Sequence, residues 1–177
     1  MKKDSFKSVI VITVICLVVA ALLALTNSIT APMIAKANEA AEKEALFGVL
    51  PNATDFTRLT VEDLPETVTA IYRETEGEGY AAMLRIKGYD SSNPMTVAVG
   101  ILPDGTLCNI VVVSCTGETS GIGTKVSGED FLKQFEGKTG ALEGVDAISG
   151  ATISSSAFIR AVRDAFTAYD IVKEVAA

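Results

Sequence analysis

The stretch Met95-Thr96-Val97-Ala98-Val99-Gly100-Ile101-Leu102-Pro103-Asp104-Gly105-Thr106-Leu107-Cys108-Asn109-Ile110-Val111-Val112-Val113 decides the fold class. Two apolar, β-branched runs flank Pro103-Asp104-Gly105. That turn is the sharpest hairpin signal in the chain, because Gly tolerates the positive φ that tight hairpins demand. Met95 to Leu102 and Leu107 to Val113 therefore read as antiparallel strands. Upstream, Val68 to Tyr72 and Tyr80 to Ile86 have the same character, with Gly77-Glu78-Gly79 and Asp90-Ser91-Ser92-Asn93-Pro94 as turns. The expected domain is α+β, a twisted antiparallel sheet with helices packed on it.

Downstream, the Gly-rich segment Gly117-Glu118-Thr119-Ser120-Gly121-Ile122-Gly123-Thr124-Lys125 matches neither a Walker A loop nor GxGxxG. By itself it reads as a mobile connection. Asp130, Phe131, Leu132, Phe135 and Glu136 suggest a short helix closed by Gly137. Then comes Asp146-Ala147-Ile148-Ser149-Gly150-Ala151-Thr152-Ile153-Ser154-Ser155-Ser156, which opens a long amphipathic run. Phe158, Ala161, Val162, Ala165, Phe166, Tyr169 and Val172 recur at helical spacing, with Arg160, Arg163, Asp164, Lys173 and Glu174 on the other face. Thr152 falls where an N-cap is expected, its oxygen accepting an orphan amide of the first turn. The same geometry suits a phosphate esterified to Thr152, because a helix N-terminus offers unpaired donors and the positive end of the macrodipole. Gly150 lets a bulky group approach the backbone closely.

The N-terminal side is of another kind. Val9 to Thr26 is uncharged over 18 residues, about 27 Å as a helix, enough to cross a bilayer. Poor small-x-small matches after it, with Pro32 close behind, favour a retained anchor over a cleaved signal. A second helical stretch is expected to open at Ala31-Pro32, with Pro32 in its first turn. Met33, Ile34, Ala37, Ala41, Ala45, Leu46, Val49 and Leu50 form its stripe and Pro51-Asn52 ends it. This stalk packs on the domain's own sheet or on a partner. The organisation expected is residues 1–8 as a cytoplasmic tail, 9–26 as the membrane span, 27–50 as the stalk helix and 51–177 as the extracytoplasmic domain.

Orientation follows from Lys2, Lys3 and Lys7 ahead of the span, with no further basic residue until Lys36. Setting aside those lysines and Asp4 leaves 12 basic and 21 acidic residues of the chain's 15 and 22, a net charge of −9 beyond the span. So acidic a domain is a poor partner for nucleic acid. There is no histidine, no Trp and no CxxC pattern, which argues against the common zinc, haem and iron–sulfur sites. Cys108 and Cys115 lie seven apart, so a single straight strand sends them to opposite faces and speaks against a disulfide. A redox role for such side chains demands a borrowed cofactor.

Asp-x-x-Ser-Gly-Ala-Thr, read from Asp146 to Thr152, is similar to the signature of the FMN-binding domain family, shared by the G subunit of Rnf complexes and the C subunit of the sodium-pumping NADH:quinone oxidoreductase. The resemblance covers nearly the whole chain. It implies FMN held covalently through a phosphoester on Thr152, installed by a dedicated flavin transferase. Ser149, Gly150 and Ala151 would then shape the turn, and Asp146 would hold it or help the transferase recognise it. Ser154, Ser155 and Ser156 are further hydroxyls, of which Ser155 is the candidate for the FMN phosphate. The Gly-rich segment resembles the family's Glu-Thr-Pro-Gly-Leu-Gly element beside the flavin: Glu118, Thr119, Gly121 and Gly123 keep the pattern and Ile122 is a mild change. Ser120 stands where Pro is usual, and Thr116 where many members have His. Glu118 and Thr119 become candidate flavin or ribityl contacts, and Lys125 a candidate to offset the phosphate charge.

Chain length and Asn27-Ser28-Ile29-Thr30-Ala31-Pro32 look more like the Rnf type than its longer relative. This implies a single-pass subunit in the cell membrane, relaying electrons beside other membrane subunits of a ferredoxin:NAD oxidoreductase that moves sodium ions or protons. The ferredoxin and NAD sites would lie elsewhere in the complex. A quinone-reductase subunit, another extracytosolic flavoprotein and a flavin-free tethered scaffold are the alternatives.

Overall fold

The computed structural model describes residues 2–77 and 79–176, with side chains for 7–77 and 79–175. The side chains of Lys2 and Lys3, used above for orientation, and Glu78 of the Gly77–Gly79 turn lie outside the described residues. The chain divides into two units, Met1–Ala41 and Glu42–Ala177.

Helix α1 runs unbroken over Lys2–Val49 and carries Pro32 inside it. The break expected at Ala31-Pro32 is absent. An interior proline costs about 3 kcal/mol through its missing N–H and the clash with the preceding turn. A 48-residue helix absorbs that loss, since propagation continues cooperatively on both sides. In the first unit, Val9, Ile12, Leu17, Leu22 and Leu23 are exposed. This helix is long and apolar enough to cross a membrane, which fits a membrane anchor.

The second unit is built on a five-stranded antiparallel meander in the order β1-β2-β3-β4-β5. The strands are β1 (Phe56–Leu59), β2 (Val68–Glu74), β3 (Tyr80–Ile86), β4 (Met95–Ile101) and β5 (Leu107–Ser114). Four match the expected runs closely; β1 was not expected. It is a short, largely exposed edge strand whose four residues carry no clear alternation. Helix α2 (Glu129–Leu132), flanked by 3₁₀ turns, and helix α3 (Thr152–Ala176) complete the domain. Gly105 has φ +82, as the hairpin requires. Beside it, the Thr106 hydroxyl and then its amide donate to Asp104 and hold that carboxyl below its ordinary range.

Both faces of the sheet are covered, so the central strands read as nearly continuous apolar runs. On one face Ala82, Leu84, Ile86, Val97, Val99 and Ile101 pack beneath Phe158, Val162 and Phe166 of α3. Phe131 meets Phe135 and Phe158 edge-on, and Phe135 meets Phe158 at a tilt, with centroids 5.3 to 5.8 Å apart. Tyr169 meets Tyr80 edge-on at 5.3 Å, and its hydroxyl donates to the Pro103 carbonyl at 3.0 Å. On the other face Ala45, Leu46, Val49 and Leu50 settle on Ala70, Ala81, Met83 and Ala98. The last part of the stalk stripe therefore serves the domain's own sheet. Cys108 packs on this face and Cys115 on the α3 face, both as free thiols.

The α1 face uses small residues so that backbone can approach backbone. Asn109 Nδ2 donates to the Gly48 carbonyl at 2.9 Å, and a Cβ on Gly100 would collide with the carbonyl oxygen of Val49. Gly100→Ala is expected to cost about 1–3 kcal/mol by forcing the end of α1 off the sheet. Chemical denaturation comparing the two proteins checks it; an unchanged midpoint would show that the contact is slack.

Candidate functional site

Three segments distant in sequence meet at the N-terminus of α3. One is Gly88-Tyr89 after β3, the second is the Gly-rich segment from Glu118 to Thr124, and the third is the turn from Ile148 to Ser154. Glu118 holds them together. It is only 6% exposed, accepts the Tyr89 amide at 3.0 Å, and accepts a hydrogen bond from the Ser154 hydroxyl. Gly88 and Gly123 crowd the carboxylate so closely that a Cβ on either would strike it. A buried carboxylate is tolerable because both donors are satisfied by it.

The turn into α3 has its own logic. The Ala151 amide donates to the Ile148 carbonyl at 3.0 Å, with Gly150 at φ +81 between them, a position that suits glycine. Ser155 clamps it: the hydroxyl donates to the Ala151 carbonyl at 2.9 Å and accepts the Ile148 amide at 3.0 Å. The first helical bond is also accepted by Ala151, from the Ser155 amide at 3.0 Å. Ala151 is thus the capping position and Thr152 the first helical residue. The expected N-cap role of Thr152 is not what the fold uses: its hydroxyl is exposed and makes no hydrogen bond among the described residues. The amides of Thr152, Ile153 and Ser154 precede the first helical bond and have no intrahelical acceptor.

A cleft of about 420 Å³ opens here. Gly150, Ala151, Thr152, Ile153 and Ser154 line it from the helix side, and Thr119, Ile122, Gly123 and Tyr89 from across. Tyr89, Ile122 and Ile153 are 67%, 49% and 61% exposed, so the opening has apolar lips above a polar helix terminus. Such a mixture suits a planar, partly apolar ligand carrying an anionic group.

Of the residues singled out in the sequence, the cleft gathers Thr152, Gly150, Ala151, Ser154, Thr119, Ile122 and Gly123. Glu118 and Ser155 lie beneath it with their side chains committed internally. Gly121 donates its amide to the Thr124 hydroxyl at 2.9 Å, and Asp146 donates its amide to Gln134 Oε1 at 2.9 Å. These two, with exposed Ser149 and Lys125, are outside the lining. Tyr89 and Ile153 were not singled out. An exposed Tyr between Gly88 and Asp90 carries a faint signal, and only the topology brings it to Thr152.

Residues 88–167 match the FMN-binding domain family, and residues 1–49 match the family described as the RnfG N-terminal region. The chain is 30% identical over 177 residues to the G subunit of the ion-translocating oxidoreductase complex of Methanosarcina acetivorans, covering 92% of this chain and 93% of that protein. It is 31% identical over 195 residues to the G subunit of the Na(+)-translocating ferredoxin:NAD(+) oxidoreductase complex of Acetobacterium woodii, covering 94% and 92%. The proton-translocating counterpart from Clostridium ljungdahlii is 26% identical over 164 residues, covering 87% and 85%.

Proposed function

The chain belongs to the family of G subunits of ion-translocating oxidoreductase complexes, and from that premise we propose that it is the membrane-anchored electron-transfer subunit of an Rnf-type ferredoxin:NAD oxidoreductase, working through FMN esterified to Thr152. The observation that carries the reading is the Thr152 hydroxyl, exposed, without a hydrogen-bond partner among the described residues, and set in the first turn of α3 at the rim of the cleft.

The residues present fit the group. The amides of Thr152, Ile153 and Ser154, which have no intrahelical acceptor, favour a phosphoryl charge beside that hydroxyl together with the positive end of the helix dipole. Gly150 presents no side chain, and nothing lies within 4 Å of where a Cβ would stand. Tyr89, Ile122 and Ile153 supply apolar surface for a flat ring and exclude water from part of it. FMN, when bound, supplies the capacity to accept and pass on electrons one or two at a time, which no side chain of this chain offers. Glu118 keeps the loop and the helix at fixed separation through Tyr89 and Ser154. The covalent tether keeps the cofactor on the outer side of the membrane.

In this reading residues 9–26 cross the membrane, residues 1–8 face the cytoplasm, and residues 51–177 face outward, with the basic residues ahead of the span setting the direction. Other membrane subunits of the complex are the partners, and a flavin transferase matures the protein. The relatives include one named for sodium and one for proton translocation, so related G subunits serve complexes of both kinds. The test is an anaerobic titration of the full chain, produced together with the transferase. A flavin absorbance that bleaches on reduction and recovers on oxidation supports the relay; a colourless protein from that host contradicts it.

A further inference from the structure

Glu118 is the one carboxylate among the buried described residues, where its polar company is Ser154 and Ser155. Acids are almost never fully buried unless they are paired, because an isolated charge is costly to take out of water. Among the described residues no Lys or Arg forms an ion pair with Glu118. Its oxygens accept from the Tyr89 amide and the Ser154 hydroxyl, both neutral donors. Ser154 stands in the first turn of α3, where the positive end of the helix dipole favours an anion. These contacts explain how a charge is tolerated there, but not why one is present. A glutamine of the same size would join the loop to the helix, its oxygen accepting from Tyr89 and its nitrogen donating to the Ser154 oxygen, with no charge to desolvate.

The place of the charge accounts for it. Ser154 and Gly123 both line the cleft at Thr152, and both meet the carboxylate. Ser154 does so through its hydroxyl, and a Cβ on Gly123 would stand 2.7 Å from Glu118 Oε2. A fixed negative charge therefore lies directly behind the cleft wall, where burial leaves it far less screened than a surface carboxylate.

We infer that the Glu118 carboxylate holds down the reduction potential of the flavin in this cleft, acting through the wall and not by contact. The inference rests on the reading that FMN occupies the cleft. Two electrons from an external reductant and one proton from solvent leave bound FMN one charge more negative, and a buried anion close by opposes that gain. Glu118 is in this sense a tuning residue, and no electron or proton passes through it.

The test is a redox titration of the full chain in detergent, produced together with the transferase and followed by flavin absorbance in mildly alkaline buffer. Glu118→Gln keeps the size of the side chain and removes its charge. The flavin should then be easier to reduce by at least about tenfold in the equilibrium constant, about 30 mV more positive for a two-electron couple. Glu118→Asp keeps the charge but shortens the reach to Tyr89 and Ser154. It should lower the unfolding midpoint at least as much as Glu118→Gln while moving the potential less than half as far, which separates charge from disturbance of the fold. Asp170→Asn removes an exposed carboxylate 18 residues beyond Thr152 on α3 and should leave the potential unchanged. That control lies about 27 Å along the helix. A wild-type chain that carries no flavin overturns the functional reading and this inference with it. Flavin-bearing proteins in which Glu118→Gln has the wild-type potential, or in which Glu118→Asp shifts it as far, overturn this inference alone.

Discussion

Thr152→Ala removes all flavin that survives denaturation and leaves the domain as stable as before. The two halves of that expectation come from the same hydroxyl. A phosphoester needs its oxygen, so the covalent yield falls from about one flavin per chain to none. The fold does not need it: Ala151 accepts the first helical bond, Ser155 clamps the turn, and the Thr152 side chain is exposed without a partner among the described residues. Ala also has the better helix propensity, so the stability change should stay within about 0.5 kcal/mol, on either side of zero. Ser154 and Ser155 do not substitute as acceptors, because both hydroxyls are buried and bonded. Absorbance of the acid-precipitated protein, together with a thermal unfolding curve, checks both halves. Flavin retained by the variant would place the attachment elsewhere.

Glu118→Ala is the largest destabilisation expected around the cleft. It strands the buried Ser154 hydroxyl, at a cost of about 1–3 kcal/mol, and the part-buried Tyr89 amide, at the lower end of that range. With the packing lost on truncating the side chain, the net loss is roughly 2–4 kcal/mol. For a domain of this size the unfolding midpoint should fall by roughly 10 °C. Glu118→Gln, which keeps one acceptor, should fall by clearly less. If Ser154→Ala is added to Glu118→Ala, the losses should combine to less than their sum, since the two residues share one interaction. A midpoint unchanged by Glu118→Ala would mean that the carboxylate is not the tie between the loop and α3.

Much of this was legible in the residues. The runs on either side of Pro103-Asp104-Gly105 became β4 and β5, and Tyr80 to Ile86 became β3 without adjustment, because period and turn chemistry agreed there. The start of α3 was readable from Gly150 and the apolar spacing beyond it. What stayed hidden depended on partners far along the chain. The fit of Val49 against Gly100 joins residues about 50 apart, and the convergence of Tyr89 on Thr152 joins residues about 60 apart, so neither leaves a local pattern. Pro32 read as a boundary because local preference says so, while a long cooperative helix carried on through it. Glu118 was singled out as a cofactor contact, and the fold turns its carboxylate inward to Ser154 and Tyr89. The role of Thr152 changed in the opposite direction: the hydroxyl expected to cap the helix makes no hydrogen bond among the described residues.

The most direct test of the central claim is the intact mass of the full chain, produced together with a flavin transferase and denatured before measurement, with peptide mapping of the segment that holds Thr152. The account predicts a single added mass equal to one esterified FMN, located on Thr152. An unmodified mass, or a flavin located on another residue, would contradict it.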